Sequence, residues 1–234
     1  MNLDFRLIKF TNYGDDFVKG KLYLNSLEYY RGIESVINKT AVERNTAIND
    51  YREGAVASVN VNDLHKFNIN WEKEITDNIV GNVYLLSEIL KYVKVLCFYA
   101  FKYDKDTHIA LAPSKKIYTF GANEAIIITN TNEFLERVKS ALDKRKTKII
   151  AANHKFVDYY DDDETTKILG AFNKTADFWW QQEYRFMFIE EPFSLEPTIL
   201  EIGDISDITI RVPTKDFLGN VLSVWEKHKP MFLC

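Results

Sequence analysis

Cysteine is nearly absent. The 234 residues hold two, Cys97 and Cys234, too few for a disulfide framework. Neither has a partner at zinc-ligand spacing, and His65, His108, His154 and His228 are scattered, so no metal site is expected. Glycine (9) and proline (5) are scarce, which excludes collagen-like and low-complexity chains. There is no Walker-type run and no G-x-G-x-x-G, so the backbone cradle that those motifs offer a phosphate is missing. G-x-S-x-G and H-E-x-x-H are missing as well, which removes support for serine hydrolases and zincins. No apolar run approaches the roughly 18 residues of a membrane-spanning helix. Met1–Arg6 lacks the basic and long apolar regions of a signal peptide. A soluble, cytoplasmic protein is the expectation.

Excess positive charge is also missing: the net charge is −4. General nucleic-acid binding, which needs a basic stripe to neutralise phosphates, is not expected. The one dense basic run, Lys144-Arg145-Lys146-Thr147-Lys148, ends an expected helix, where cations complement the negative end of the dipole.

What the chain has in quantity is core-forming material. Hydrophobic residues make up 46% and aromatics 14%, enough for a substantial core without cross-links. Alternation predicts strands at Phe5–Phe10, Lys21–Asn25, Ala55–Val61, Asn82–Leu86, Glu183–Ile189, Ile199–Ile202 and Ile208–Val212. Val93–Phe101 and Ala125–Thr129 are apolar enough to be buried strands, with Cys97 as a small core residue. Two further strands, Lys148–Ala152 and Lys155–Tyr159, are expected around Asn153. Asp15–Lys19 reads as a helical turn stopped by Gly20. Asn130 and Glu133 stand at capping-box spacing before a helix over Glu133–Lys144. Asp161–Asn173 reads as a helix opened by acids, and Thr214 starts a last helix carrying Phe217, Leu218, Val221, Leu222 and Trp225. Strands outnumber helices and strand–helix–strand units are few. The expected fold is therefore α+β: a single domain over residues 1–234 with a mixed or mainly antiparallel central sheet, flanked by a few helices. Residues 39–54 are expected to be a mobile loop.

Two polar-aromatic clusters are candidate sites. In Trp179-Trp180-Gln181-Gln182-Glu183-Tyr184-Arg185, a strand puts Glu183 and Arg185 on one face and Tyr184 and Phe186 on the other. Such a carboxylate and guanidinium either pair structurally or orient a polar ligand. A lone strand glutamate also suits the oxocarbenium-like transition state of glycosidic-bond cleavage, which makes Glu183 the candidate catalytic residue. The other is Tyr29, Tyr30 and Arg31, and separately Asp50, Arg52 and Glu53 would make a polar cluster at a loop mouth. Together with Trp180 and Arg185 these are candidate interaction residues, because exposed tyrosine, tryptophan and arginine are common interface anchors.

The same residues carry a resemblance. Phe17-x-x-Gly20-x-Leu22-Tyr23-Leu24-x-Ser26-Leu27-x-Tyr29-Tyr30 leads to Asn49-Asp50-x-x-Glu53-Gly54, then to Ala171-Phe172-x-Lys174 and Trp180-x-x-Glu183-x-Arg185. This order resembles a family of uncharacterised bacterial and phage proteins with an N-D-P-x-E-like turn and a later W-x-x-E-x-E-x-R strand. Tyr51 stands where that family has proline. The likeness implies a phage or mobile-element protein that binds and modulates a bacterial host protein, with a defence system as the target and self-association left open. The opening strands and the late glutamate are also similar to ADP-ribosyltransferase-like folds. That likeness implies an NAD-using transferase or glycohydrolase, in which Arg6 or Lys9, Tyr23 or Ser26, and Glu183 would hold NAD. No cofactor is expected outside that alternative.

Overall fold

The computed structural model describes residues 3–31, 52–79, 81–104, 109–110, 113–163 and 165–219. Its centre is a nine-stranded antiparallel sheet. The path β13 (Thr198–Glu201), β2 (Lys21–Ser26), β5 (Lys94–Asp104), β1 (Leu3–Thr11), β7 (Glu124–Ile128), β14 (Thr209–Pro213) crosses most of it. β12 (Glu183–Glu191) pairs with the other edge of β5 and carries β8 (Lys148–Phe156) outside it, and β6 (Ile109–Ala110) also pairs with β5. A three-stranded sheet of β10 (Lys167–Ile168), β3 (Ala55–Asn60) and β4 (Asn82–Leu86) and a parallel pair of β9 (Asp158–Tyr160) and β11 (Asn173–Thr175) complete the strands. The α+β class with a mainly antiparallel sheet is as the sequence implied.

β5 is central because both of its faces are apolar. Leu96, Phe98 and Ala100 point to one side and Val95, Tyr99 and Phe101 to the other, all buried. On the first face they join Leu7, Ile126, Ile128, Tyr184, Phe186 and Phe188 under helix α2 (Thr131–Asp143). That helix buries Phe134, Val138 and Leu142, spaced one helical turn apart. Its start is held as the sequence suggested, with the Glu133 amide donating to the Asn130 side chain at 3.1 Å. Short helix α1 (Gly14–Val18) adds Phe17 to this face.

The second face is built differently. Ile8, Tyr99, Phe101, Ala125 and Ile127 pack with Trp180 and with Phe217 of helix α3 (Thr214–Gly219) in one cluster. Leu27, Val93, Val95, Ala171 and Ile189 form another. Between these apolar clusters the sheet carries charge.

Two expectations need correction. Lys148–Tyr159 is not two strands broken at Asn153: β8 runs unbroken through Asn153, because Ala151–Phe156 pair in one register with β12, with a bulge only at Ile150, and the break falls at Val157. Asp161–Asn173 is not a helix. Its acids are used in side-chain contacts instead of a helix start: Asp162 holds Arg52 and Tyr84, and Asp163 holds Thr165 and Lys167. Thr166 donates to Asp63 at 2.7 Å and accepts from the Asn60 amide, pinning the segment beside β3. Val221, Leu222 and Trp225 of the expected last helix, and residues 39–51 of the expected mobile loop, lie outside the described residues.

Candidate functional site

The charged interruption on the second face is produced by strand register. β12 pairs with β5 so that Glu183 lies opposite Tyr99 and Arg185 opposite Cys97. Paired residues share a face, so both side chains enter the second face while Tyr184 and Phe186 enter the first, as their alternation implied. The chain reaches this register through Gln182, which ends a 3-10 turn over Ala176–Gln181 with φ +42°. That left-handed conformation is uncommon for a residue with a side chain. The Gln182 side chain steadies it by donating to the Trp179 carbonyl at 2.9 Å.

Arg185 is the hub of the cluster. Its Nε donates to Glu183 Oε1 at 2.7 Å, and its Nη1 donates to Glu53 Oε1 at 2.6 Å and to the Ala171 carbonyl. Lys174 Nζ donates to Glu183 Oε2 at 3.0 Å and to Gln181 Oε1 at 2.9 Å, and it lies 3.7 Å from Glu53 Oε2. Arg185, Lys174, Glu53 and Glu183 are all buried. Glu53 is delivered by the turn before β3, where Gly54 takes φ +77°, a conformation glycine adopts without steric cost. Tyr159 Oη accepts from the Glu183 amide at 2.9 Å and fixes the start of β12.

Burial alone would drive Glu183 and Lys174 toward their neutral forms. It opposes the Glu183 carboxylate, but Arg185 and Lys174 outweigh it, and the Glu183 pKa falls well below the ordinary value. Burial likewise opposes the Lys174 ammonium, but Glu183 and Glu53 hold its pKa above the ordinary value. Glu183 is thus a permanent anion at neutral pH and unsuited to donating a proton. Each of its oxygens accepts one hydrogen bond from this pair of cations and keeps further acceptor capacity.

A cavity of about 230 Å³ opens beside the cluster. Ile8, Phe10, Tyr99 and Phe120 supply apolar wall, Tyr30 and Cys97 also line it, and Glu53, Lys174, Gln181, Glu183 and Arg185 supply the polar wall. Lys9 is the remaining charged residue lining it. β1 and β2 pair with the same edge of β5, through Tyr99–Asp104 and Lys94–Val95 respectively, and leave Leu96–Phe98 between them. Lys9 fills that gap and donates from Nζ to the Cys97 carbonyl at 3.0 Å. Among the described residues no carboxylate lies within ion-pair distance of it. The cavity wall therefore holds three cations (Lys9, Lys174 and Arg185) against two carboxylates (Glu53 and Glu183). Burial depresses the Lys9 pKa, although the Cys97 thiol and Glu183 counteract it. Burial pushes the Cys97 thiol up to about 12, so it is no nucleophile at neutral pH.

The structure brings together some of the expected residues and separates others. Glu183, Lys9, Tyr30, Glu53 and Arg185 meet at the cavity. Arg6, Tyr23 and Ser26 are not among its walls. Arg6 is buried and bonds to its neighbour's carbonyl, Tyr23 is exposed, and Ser26 is buried with its hydroxyl accepting from the Tyr29 amide. As interface anchors, Glu53, Trp180 and Arg185 are corrected: all three are buried, Trp180 by stacking on Phe120. Arg31 pairs with Glu28, Arg52 pairs with Asp162, and Tyr29 is exposed. Asp50 lies outside the described residues. Sequence reasoning missed Lys174 and Gln181 as site residues, although Lys174 stands in the Ala171-Phe172-x-Lys174 motif.

Among the described residues, no group of three or more histidine, cysteine, aspartate or glutamate side chains is placed to hold a metal, and no helix is long and apolar enough to cross a membrane. No family model, curated protein or solved structure matches the chain.

Proposed function

We propose that the cavity beside Glu183 binds NAD and that the protein cleaves its nicotinamide–ribose bond, as a glycohydrolase or an ADP-ribosyltransferase. One observation carries the reading: a carboxylate kept ionised by two buried cations forms part of the wall of an aromatic-lined cavity. In the reaction the C–N bond breaks, nicotinamide leaves with the electron pair, and positive charge develops on the ribose ring. A preorganised anion at that point stabilises the transition state more than the ground state. Water or an acceptor nucleophile then forms the new bond to the anomeric carbon and loses its proton. Phe10, Tyr99 and Phe120 suit the planar base, and the surplus cation suits an anionic ligand. The cavity takes a ring and its sugar, with the rest of the dinucleotide outside.

NAD is expected to raise the melting temperature and to be consumed with release of nicotinamide. Glu183→Gln should keep binding and slow turnover about 100-fold or more, the scale of losing one electrostatic group at such a centre. A protein whose melting NAD leaves unmoved, and which leaves NAD intact over prolonged incubation, would rule the reading out.

The second reading is a phage or mobile-element protein that docks on a bacterial host protein. Exposed Tyr29 and Trp179 favour it, each about half accessible (50% and 55%). A stoichiometric partner recovered from a low-GC host by wild type, and lost with Tyr29→Ala and Trp179→Ala, would support it. Recovery of none would count against it.

A further inference from the structure

The three cations of the cavity wall are not used alike. Lys174 gives its ammonium to Glu183 and Gln181, and Arg185 bridges Glu183 and Glu53. An ammonium carries three donors. Lys9 gives one to the Cys97 carbonyl at 3.0 Å, and among the described residues no other acceptor lies within hydrogen-bond distance of it. That carbonyl lies at the opening which β1 and β2 leave along the edge of β5. The half-buried ammonium therefore stands at the level of the sheet, in the wall of the cavity.

A capped carbonyl does not account for the charge. A neutral donor would satisfy it, whereas a cation withdrawn from water needs an anion close by. Both carboxylates in the wall are already held by Arg185 and Lys174. A ligand can supply the anion that Lys9 lacks.

The strands indicate where on the ligand that anion belongs. β1 and β12 flank β5 on opposite edges, two strand spacings or about 10 Å apart. The aromatic wall spans the same interval. Tyr99 is opposite Glu183 in the β5–β12 register, Phe10 follows Lys9 along β1, and the Phe10 and Tyr99 rings are 6.1 Å apart. A planar ring laid on this wall with its glycosidic bond at Glu183 turns its far side toward Lys9. On the pyridine ring of NAD, that side carries the carboxamide.

We propose that Lys9 pairs with a carboxylate on that ring, so that the preferred substrate is the nicotinic acid form of the dinucleotide, ahead of NAD itself. This rests on the cleavage reading above and names its substrate class. The C–N bond breaks, nicotinate leaves with the electron pair, and water forms the new bond to the anomeric carbon and loses its proton. Carboxylate and carboxamide have nearly the same shape, so the preference is one of charge. A hydrogen bond to a charged group exceeds a neutral one by enough for about a tenfold preference.

Free nicotinate and nicotinamide are matched probes, and titration calorimetry reads both. Wild type should bind nicotinate about tenfold more tightly. Lys9→Gln keeps a donor for the Cys97 carbonyl and should bind the two alike, whereas Lys9→Arg should keep the preference. In a mixture of the two dinucleotides, wild type should consume the acid form about tenfold faster, and Lys9→Gln should lose that selectivity. The proposal is overturned by a wild type that binds or consumes the two forms alike, an outcome that needs no variant to fold. It is overturned equally by a Lys9→Gln protein that keeps the preference. Inorganic phosphate that competes with nicotinate at an equal dissociation constant would also overturn it, since Lys9 would then be a general anion site. NAD cleaved without preference would strike this proposal and leave the cleavage reading intact. Selective nicotinate binding with neither dinucleotide consumed would strike the cleavage reading, and the substrate assignment with it, and would leave Lys9 as a carboxylate site.

Discussion

The two faces of the central sheet solve the same packing problem in opposite ways. Under α2 the first face is continuous hydrocarbon and aromatic ring, from Leu7 through Phe98 and Phe134 to Phe188. The second face holds comparable apolar clusters but parts them with Glu53, Lys174, Glu183 and Arg185. Apolar side chains of similar volume in place of a buried charge network are often neutral or stabilising. The charges on the second face are therefore poorly explained by stability, and they stand where a cavity opens. The first face holds the sheet together, and the second uses that support to keep charged groups dry.

Truncation on each side should separate these roles most sharply. Phe134→Ala removes a fully buried ring from the first face and should cost about 3–5 kcal/mol. Arg185→Ala should cost about the same, because it leaves the Glu53 and Glu183 carboxylates buried with Lys174 as their remaining cation. The two losses should part company in acid. The Phe134→Ala deficit should be nearly independent of pH. The Arg185→Ala deficit should shrink toward pH 4, as the stranded Glu183 takes up a proton that it resists in wild type. Urea unfolding at neutral and acid pH measures both, and parallel deficits would erase the distinction between the faces.

A smaller effect follows from Glu183 alone. Its folded pKa is lowered, so its contribution to stability is complete above the unfolded value of about 4.3. It is lost progressively as pH falls below that value, where the unfolded chain binds a proton and the folded chain does not. Glu183→Gln should flatten the acid limb of the stability curve by about one proton. An unchanged slope would mean that Glu183 is not the ionised member of the cluster.

The first face was the more legible of the two in the sequence. A run such as Val93–Phe101 announces a buried strand, and the apolar spacing after Asn130 announces α2, because both signals are local and periodic. The Glu183/Arg185 alternation was visible for the same reason. The cavity was not, because its parts come from distant segments: Arg185 reaches Glu53 across 132 positions, and Lys9 arrives from the first strand. The acidic run before Thr165 was misread for a related reason. Its carboxylates look like a helix start until Arg52, Tyr84 and Lys167 are seen to hold them.

The smallest test concerns the support rather than the site. The Asn130 side chain accepts the Glu133 amide at the start of α2, and the helix lies over the first face, across the sheet from Glu183. Asn130→Ala removes that cap and should lower stability by about 1 kcal/mol at every pH where the protein folds. Because the cap touches no cavity residue, ligand-induced melting shifts should keep their full size on the lower baseline. If the shift shrank with the cap, the two faces would be coupled through the sheet, and the first face would take part in binding as well as in support.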